Sequence, residues 1–325
     1  MFRSGDEIGH YTLIEKLGEG IFGEVWLAER RTPLSTERYA LRLPSASLTD
    51  PEMIRQEGPR WQSLGGHRNV LPVVDVGEYD GQVFIAGEYA PEGSLEQWLK
   101  RNGRMAFEEA VGTVIEVLEG LEFLHSHQII HGDLTPSNIL FKDGTPRLAD
   151  FGLSRVLQPD TTGDGRRKSL RDLRYLAPET LEGRRSFQTD IWSVGVILYE
   201  LLTGTLPPPQ TMPDSLSAIL TPMPPMPEFI PSELARVIAK ALAGAPENRY
   251  RTAAEMRADL FWFRNISVVQ KNCVIIGSAP PEDFYTGISQ GDSKSTSIAD
   301  DEPDEARKSD SVSNLVKRIG KFFRK

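Results

Sequence analysis

The chain has 325 residues, with 37 Lys and Arg against 46 Asp and Glu, and a formal net charge of −9. Hydrophobic residues at 39% and charged residues at 26% are the proportions of a globular protein, long enough for a two-lobed domain with a tail. The acidic balance argues against a nucleic-acid binder, and the single cysteine, Cys273, excludes an intrachain disulfide and fits a reducing compartment. The N-terminal MFRSGDEIGHY lacks the apolar core of a secretory leader. The best membrane-span candidate, IWSVGVILYELL, is too short for a bilayer and reads as a buried helix. A cytoplasmic protein is expected.

Residues 11–90 read mainly as strands: YTLIEKLG, EVWLAER and RYALRL alternate apolar and polar positions around a glycine-rich turn. A helix from about Pro51 to Ser63 interrupts them. From Ser94 the period becomes helical, in SLEQWLKR and in the amphipathic run Phe107 to His125. Short strands are expected around NILF and PRLAD, then helices over Thr189–Leu202 and Pro231–Ala243. Strands followed by helices predict an α+β architecture of two lobes with a cleft between them. The expected division is a domain over 8–265, its extension over 266–277, an acidic Ser/Pro/Gly-rich linker over 278–313 expected to be disordered, and a terminal helix over 314–325. In that last segment Leu315, Val316, Ile319, Phe322 and Phe323 share one helical face, and Lys317, Arg318, Lys321, Arg324 and Lys325 share the other. This is the pattern of an interfacial helix on an anionic membrane; docking on the chain itself or on a partner is the alternative.

Three clusters carry chemistry. Gly18, Glu19, Gly20, Gly23 and Val25 follow a predicted strand, and glycines there let backbone N–H groups approach phosphate oxygens. The turn joins two strands, whereas the dinucleotide fingerprint leads into a helix. In the run His131-Gly-Asp133-Leu-Thr-Pro-Ser-Asn138, Asp133 is placed to accept a proton from a hydroxyl and Asn138 to hold a metal ion. Asp150-Phe-Gly152 adds a carboxylate suited to Mg²⁺. Ala177-Pro-Glu179, Asp190 and Arg249 follow. The histidines at 10, 67, 125 and 127 show no metal-ligand spacing.

In their order and spacing these segments resemble the protein-kinase signature set, over roughly residues 8–265, and are similar to the eukaryotic-like (Hanks-type) serine/threonine kinases, including those of bacteria. The resemblance implies a small antiparallel β lobe with a helix C, a larger helical lobe, ATP and Mg²⁺ as ligands, and a protein as substrate or partner. It further implies that Leu17, Val25, Ala40 and Leu140 sandwich adenine. Glu88 and Ala90 would offer backbone hydrogen bonds at the hinge, and Glu57 would be the helix-C glutamate. Glu179 and Arg249 would form a structural ion pair, Asp190 would hold the catalytic-loop backbone, and His131 would be a structural residue.

The sequence departs from the family pattern at several of these positions. Arg42 stands where a lysine is usual; it can pair with Glu57, but its broad fork suits the α- and β-phosphates poorly. Thr135 stands where a lysine two residues beyond the catalytic aspartate is usual and cannot neutralise a moving phosphoryl group. Asp172 replaces a threonine and would put a second carboxylate near Asp133. Gly132 replaces an arginine, Pro59 predicts a helix C that is kinked or starts late, and Gly87 at the gatekeeper position predicts a pocket behind the adenine site. The expected function is therefore a nucleotide-binding pseudokinase acting as a signalling switch or scaffold. An active serine/threonine kinase with rearranged cations is the alternative. Ser154, Thr161, Thr162 and Ser169 are expected in the activation segment.

Overall fold

The computed structural model describes residues 2–20, 23–45, 51–153, 172–207 and 226–276. Six strands form the first lobe: β1 (Glu7–Ile8), β2 (Tyr11–Gly20), β3 (Gly23–Arg31), β4 (Thr36–Leu43), β5 (Val73–Tyr79) and β6 (Gln82–Glu88). They make one antiparallel sheet in the order β1-β2-β3-β4-β6-β5. Side chains alternate along β4 as a pleated strand requires. Tyr39, Leu41 and Leu43 enter a core with Tyr11, Leu13, Trp26 and Phe84, while Ala40 and Arg42, only half-buried, take the opposite face. Gly23 opens β3 at φ +110°, where an added Cβ would lie 2.1 Å from the Leu43 carbonyl oxygen. Only glycine fits there.

Helix α1 (Pro51–Gln62) packs on β5 and buries Ile54 and Trp61. Gly58 makes the approach close: a Cβ there would sit 3.0 Å from Val76 Cγ1. Pro59 lies inside the helix, which starts at Pro51 and so does not start late. Only three helical residues follow Pro59, so its missing N–H falls in the last turn, where little helix depends on it.

The second lobe is helical around a short hairpin. It comprises α2 (Leu95–Asn102), α3 (Phe107–Ser126), β7 (Ile139–Lys142), β8 (Thr145–Leu148), α4 (Phe187–Thr203), α5 (Ser232–Ala241) and α6 (Ala253–Ile276). Ser94 and Gln97 close a capping box at the start of α2. Between Thr189 and Leu202 every residue but Trp192 is buried, so α4 is the buried helix its composition predicts. It ends at Gly204, in the left-handed conformation. One core runs from Ile54 and Trp61 of α1 through α3 to α4, α5 and α6, joining the lobes.

Helix α6 runs without interruption through 266–276, a stretch read from sequence only as an extension. One compact unit spans Met1–Asn272, and Cys273–Lys325 is assigned to a second. The expected linker and terminal amphipathic helix lie outside the described residues, as does the segment carrying Ser154, Thr161, Thr162 and Ser169. No helix among the described residues is long and apolar enough to cross a membrane.

Candidate active site

A cavity of about 100 Å³ opens between the lobes. Val25 of β3, Ala40 of β4 and Leu140 of β7 line it, so three of the four predicted adenine-contacting side chains converge. The fourth, Leu17, is 40% exposed and is not among the lining residues. The cavity continues past Gly87 to Trp61, Ile85, Leu71, Phe151 and Leu153. A Cβ at Gly87 would meet nothing nearer than the Pro72 carbonyl oxygen at 3.6 Å and the Ala40 carbonyl oxygen at 4.0 Å. Glycine is thus what leaves this space open. Apolar walls of this kind suit a flat nucleobase.

The polar end of the cavity holds Arg42 and Asp150. Arg42 lies in the middle strands of the sheet, paired in register with Val25 and Ile85. Its Nε donates to Asp150 Oδ1 at 3.0 Å and its Nη2 donates to Asp150 Oδ2. Asp150 follows β8 with φ +60°, and the Ala149 N–H donates to the Asn138 carbonyl at 2.9 Å, fixing the two loops together. Among the described residues, the ion pair of Arg42 is with Asp150 rather than with Glu57. Glu57 of α1 lies 3.6 Å from Arg60 on its own helix.

Asp133 is half-buried in the loop before the short 3-10 turn Pro136–Asn138. Asn138 Nδ2 donates to the Asp133 carbonyl at 2.8 Å. Thr135 is buried, its hydroxyl 2.7 Å from Ser137 Oγ; it braces the loop and puts no charge into the cleft. Asp190 of α4 supports this loop from below, accepting the N–H groups of His131 at 2.9 Å and Gly132 at 2.8 Å. His125 Nε2 lies 2.8 Å from the same carboxylate. Burial pushes the His131 imidazole pKa down despite the neighbouring Asp190, Asp133 and Asp150, so it stays neutral and structural.

The glycine-rich turn is framed by register pairs Gly18–Val25, Glu19–Glu24 and Gly20–Gly23. Lys16 binds both Glu19 at 2.6 Å and Glu24 at 2.9 Å. At the hinge, the Glu88 N–H donates to the Pro72 carbonyl at 3.1 Å, and Ala90 is buried with Leu71 and Ala149. The Glu88 carboxylate binds Lys142 and, at 2.9 Å, Arg147. That clamp from the β7–β8 hairpin onto the hinge was not read from sequence, since neither cation lies in a motif. The side chain of Asp172 is outside the described residues. Arg249 donates to both oxygens of Glu179 at 2.8 Å. Burial raises the Glu179 pKa, but the hydrogen bonds from Arg249 and Thr189 outweigh it and hold the carboxyl below its ordinary range.

A curled strand lobe, a helical lobe and a nucleobase-sized cleft between them define a protein-kinase fold. The protein kinase domain model matches residues 11–262, and the chain belongs to that family. Its relatives include the probable serine/threonine-protein kinase PknB of Lactococcus lactis, 30% identical over 266 residues that make up 77% of this chain and 41% of that protein. Serine/threonine-protein kinase PknB of Mycobacterium leprae is 34% identical over 265 residues, 77% of this chain and 42% of that one. Serine/threonine-protein kinase PrkC of Bacillus subtilis is 30% identical over 261 residues, 78% and 40% respectively. The chain thus spans about two-fifths of the length of these relatives. Among solved structures, a cysteine-to-alanine mutant of the Mycobacterium tuberculosis PknI kinase domain superposes with a TM-score of 0.59 at 24% identity, covering 80% of this chain and 98% of that one. That likeness carries the fold.

Proposed function

We propose that this chain binds nucleotide in the interlobe cavity but transfers phosphate poorly, and that it acts on a protein partner as a signalling switch or scaffold. The observation that carries the reading is the pairing of Arg42 with both oxygens of Asp150. The cavity fits a nucleoside: Val25, Ala40 and Leu140 would hold the base, backbone groups of Glu88 and Ala90 its edge, and the Gly18–Gly23 turn the phosphates. For Mg²⁺ the donor types fit, one carboxylate and one amide oxygen. Their arrangement does not, because the carboxylate already serves a guanidinium. Phosphoryl transfer depends almost wholly on positioning and charge stabilisation. Here the cation of β4, Arg42, is turned onto an aspartate, and Thr135 supplies no charge to replace a lysine.

The second reading is an active serine/threonine kinase. The well-built loop favours it: Asp190 holds its backbone and Asn138 ties back to Asp133. In that case Asp133 would orient a substrate hydroxyl and accept its proton. A thermal-shift titration with ATP beside a radiolabelled transfer assay separates the two. The expected outcome is a raised melting temperature with no label transferred. Label transfer that vanishes in Asp133→Asn would make the chain a kinase. For residues 314–325 the proposal is peripheral association with an anionic membrane, argued from the charge pattern alone.

A further inference from the structure

Among the described residues lining the cavity, Asp150 is the carboxylate, and it is already paired with a cation. Two N–H donors of the same planar fork take one carboxylate oxygen each, Nε at 3.0 Å from Oδ1 and Nη2 on Oδ2. This is the bidentate geometry in which a guanidinium binds a carboxylate best. Both partners are anchored through the backbone: Arg42 lies between β3 and β6 in the sheet, and Gly152, two residues after Asp150, donates its N–H to the His131 carbonyl at 3.4 Å. The side chains are 14% and 29% exposed, so salt and water screen the pair only partly. Arginine cannot deprotonate to release the aspartate.

We infer that the Arg42 guanidinium takes the place of a divalent cation at Asp150, so that this chain binds nucleotide without requiring Mg²⁺. The inference rests on the nucleotide-binding reading above and deepens it. An ionised Asp150 left bare would repel a polyphosphate, and a divalent ion between them removes that repulsion. Arg42 does the same by neutralising the carboxylate in advance. The guanidinium has five N–H donors, and the pair uses two of them, so it can hold the aspartate and still face an anion. A Mg²⁺ ion wants near-octahedral oxygen ligands at close range. To reach Asp150 it must displace two hydrogen bonds and then sit beside a fixed positive charge. A lysine at position 42 would present a compact ammonium on a flexible stem and leave room for the ion.

The test is calorimetric titration of the full chain with ATP, once in EDTA and once in Mg²⁺, on wild type and Arg42→Lys. Wild-type dissociation constants in the two buffers are expected to agree within about threefold, and Arg42→Lys is expected to bind about tenfold or more tightly with Mg²⁺ than without. Wild-type binding that strengthens about tenfold with Mg²⁺ overturns the inference and leaves nucleotide binding standing. A lysine variant as indifferent to Mg²⁺ as wild type removes Arg42 as the cause. No ATP binding in either buffer by either folded protein takes down the nucleotide-binding reading and this inference together. If the lysine variant does not fold, the wild-type comparison decides alone.

Discussion

Gly23 and Gly87 are both strand glycines, yet their surroundings predict opposite responses to a methyl group. At Gly23, φ is +110° and a Cβ would collide with the Leu43 carbonyl. Gly23→Ala is therefore expected to lower unfolding free energy by at least about 1–3 kcal/mol. At Gly87 the nearest atom stands 3.6 Å away, so Gly87→Ala is expected to gain about 0.4–1 kcal/mol from lost unfolded-state entropy while narrowing the cavity. Urea denaturation of both variants beside wild type reads the two signs. The buried Glu179–Arg249 pair gives a third expectation. The folded pKa of Glu179 lies below its ordinary value, so its contribution is fully present above the unfolded pKa and disappears as pH falls through the folded one. Wild-type stability should decline on acidification in that window, while Glu179→Gln, weaker at neutral pH by about 3–5 kcal/mol for the stranded Arg249, should show a flatter profile there. Parallel urea midpoints against pH for the two proteins would remove Glu179 as the acid-sensitive group.

Helix α1 is held at both ends of its job, packed on β5 through Gly58 and tied to the other lobe through Arg60. The Arg60 Nη2 donates to the His127 carbonyl at 2.6 Å and to the Gln128 carbonyl at 3.1 Å. These two carbonyls follow α3, so the tether fixes a first-lobe helix to the second lobe. Arg60→Ala is expected to speed amide hydrogen exchange within α1 while leaving α3 and α4 protected, since a local opening costs less than global unfolding. Uniform change across all three helices would show a general loss of stability and no tether. This contact joins residues that lie 67 and 68 positions apart, beyond the range of any local sequence pattern. The alternation of Tyr39, Leu41 and Leu43 was legible because a strand has a period of two, and α4 was legible because its apolar run has helical length. The grouping of Val25, Ala40 and Leu140 was implied by the family resemblance, which also included Leu17, a residue absent from the cavity lining. The pairing of Arg42 with Asp150 was not legible, because the two lie 108 residues apart in the chain and only tertiary geometry brings them together. The Lys142 and Arg147 clamp on Glu88 was equally hidden, since it depends on how the β7–β8 hairpin meets the hinge.

At the scale of the whole molecule the charge distribution is lopsided. The chain carries −9 overall, yet its last twelve residues hold five Lys or Arg and no acid. The remainder is more acidic than the whole, and an anionic bilayer would repel it. The basic end is the segment proposed to supply an attraction to such a surface. Each Lys or Arg near an anionic leaflet contributes about 1 kcal/mol, so five are worth on the order of 5 kcal/mol before the apolar face of Leu315, Val316, Ile319, Phe322 and Phe323 is counted. The full chain is expected to sediment with phosphatidylserine-containing vesicles at low salt. It should not sediment with neutral phosphatidylcholine vesicles, and raised salt should weaken binding as the Debye length shrinks. A chain ending at Ser313 should stay in the supernatant throughout. Insertion of the aromatic pair would leave a salt-resistant fraction, which Phe322→Ser with Phe323→Ser should abolish without altering the low-salt component. Equal sedimentation of the full and shortened chains would remove the tail as a membrane anchor and turn the search for its role to a protein surface.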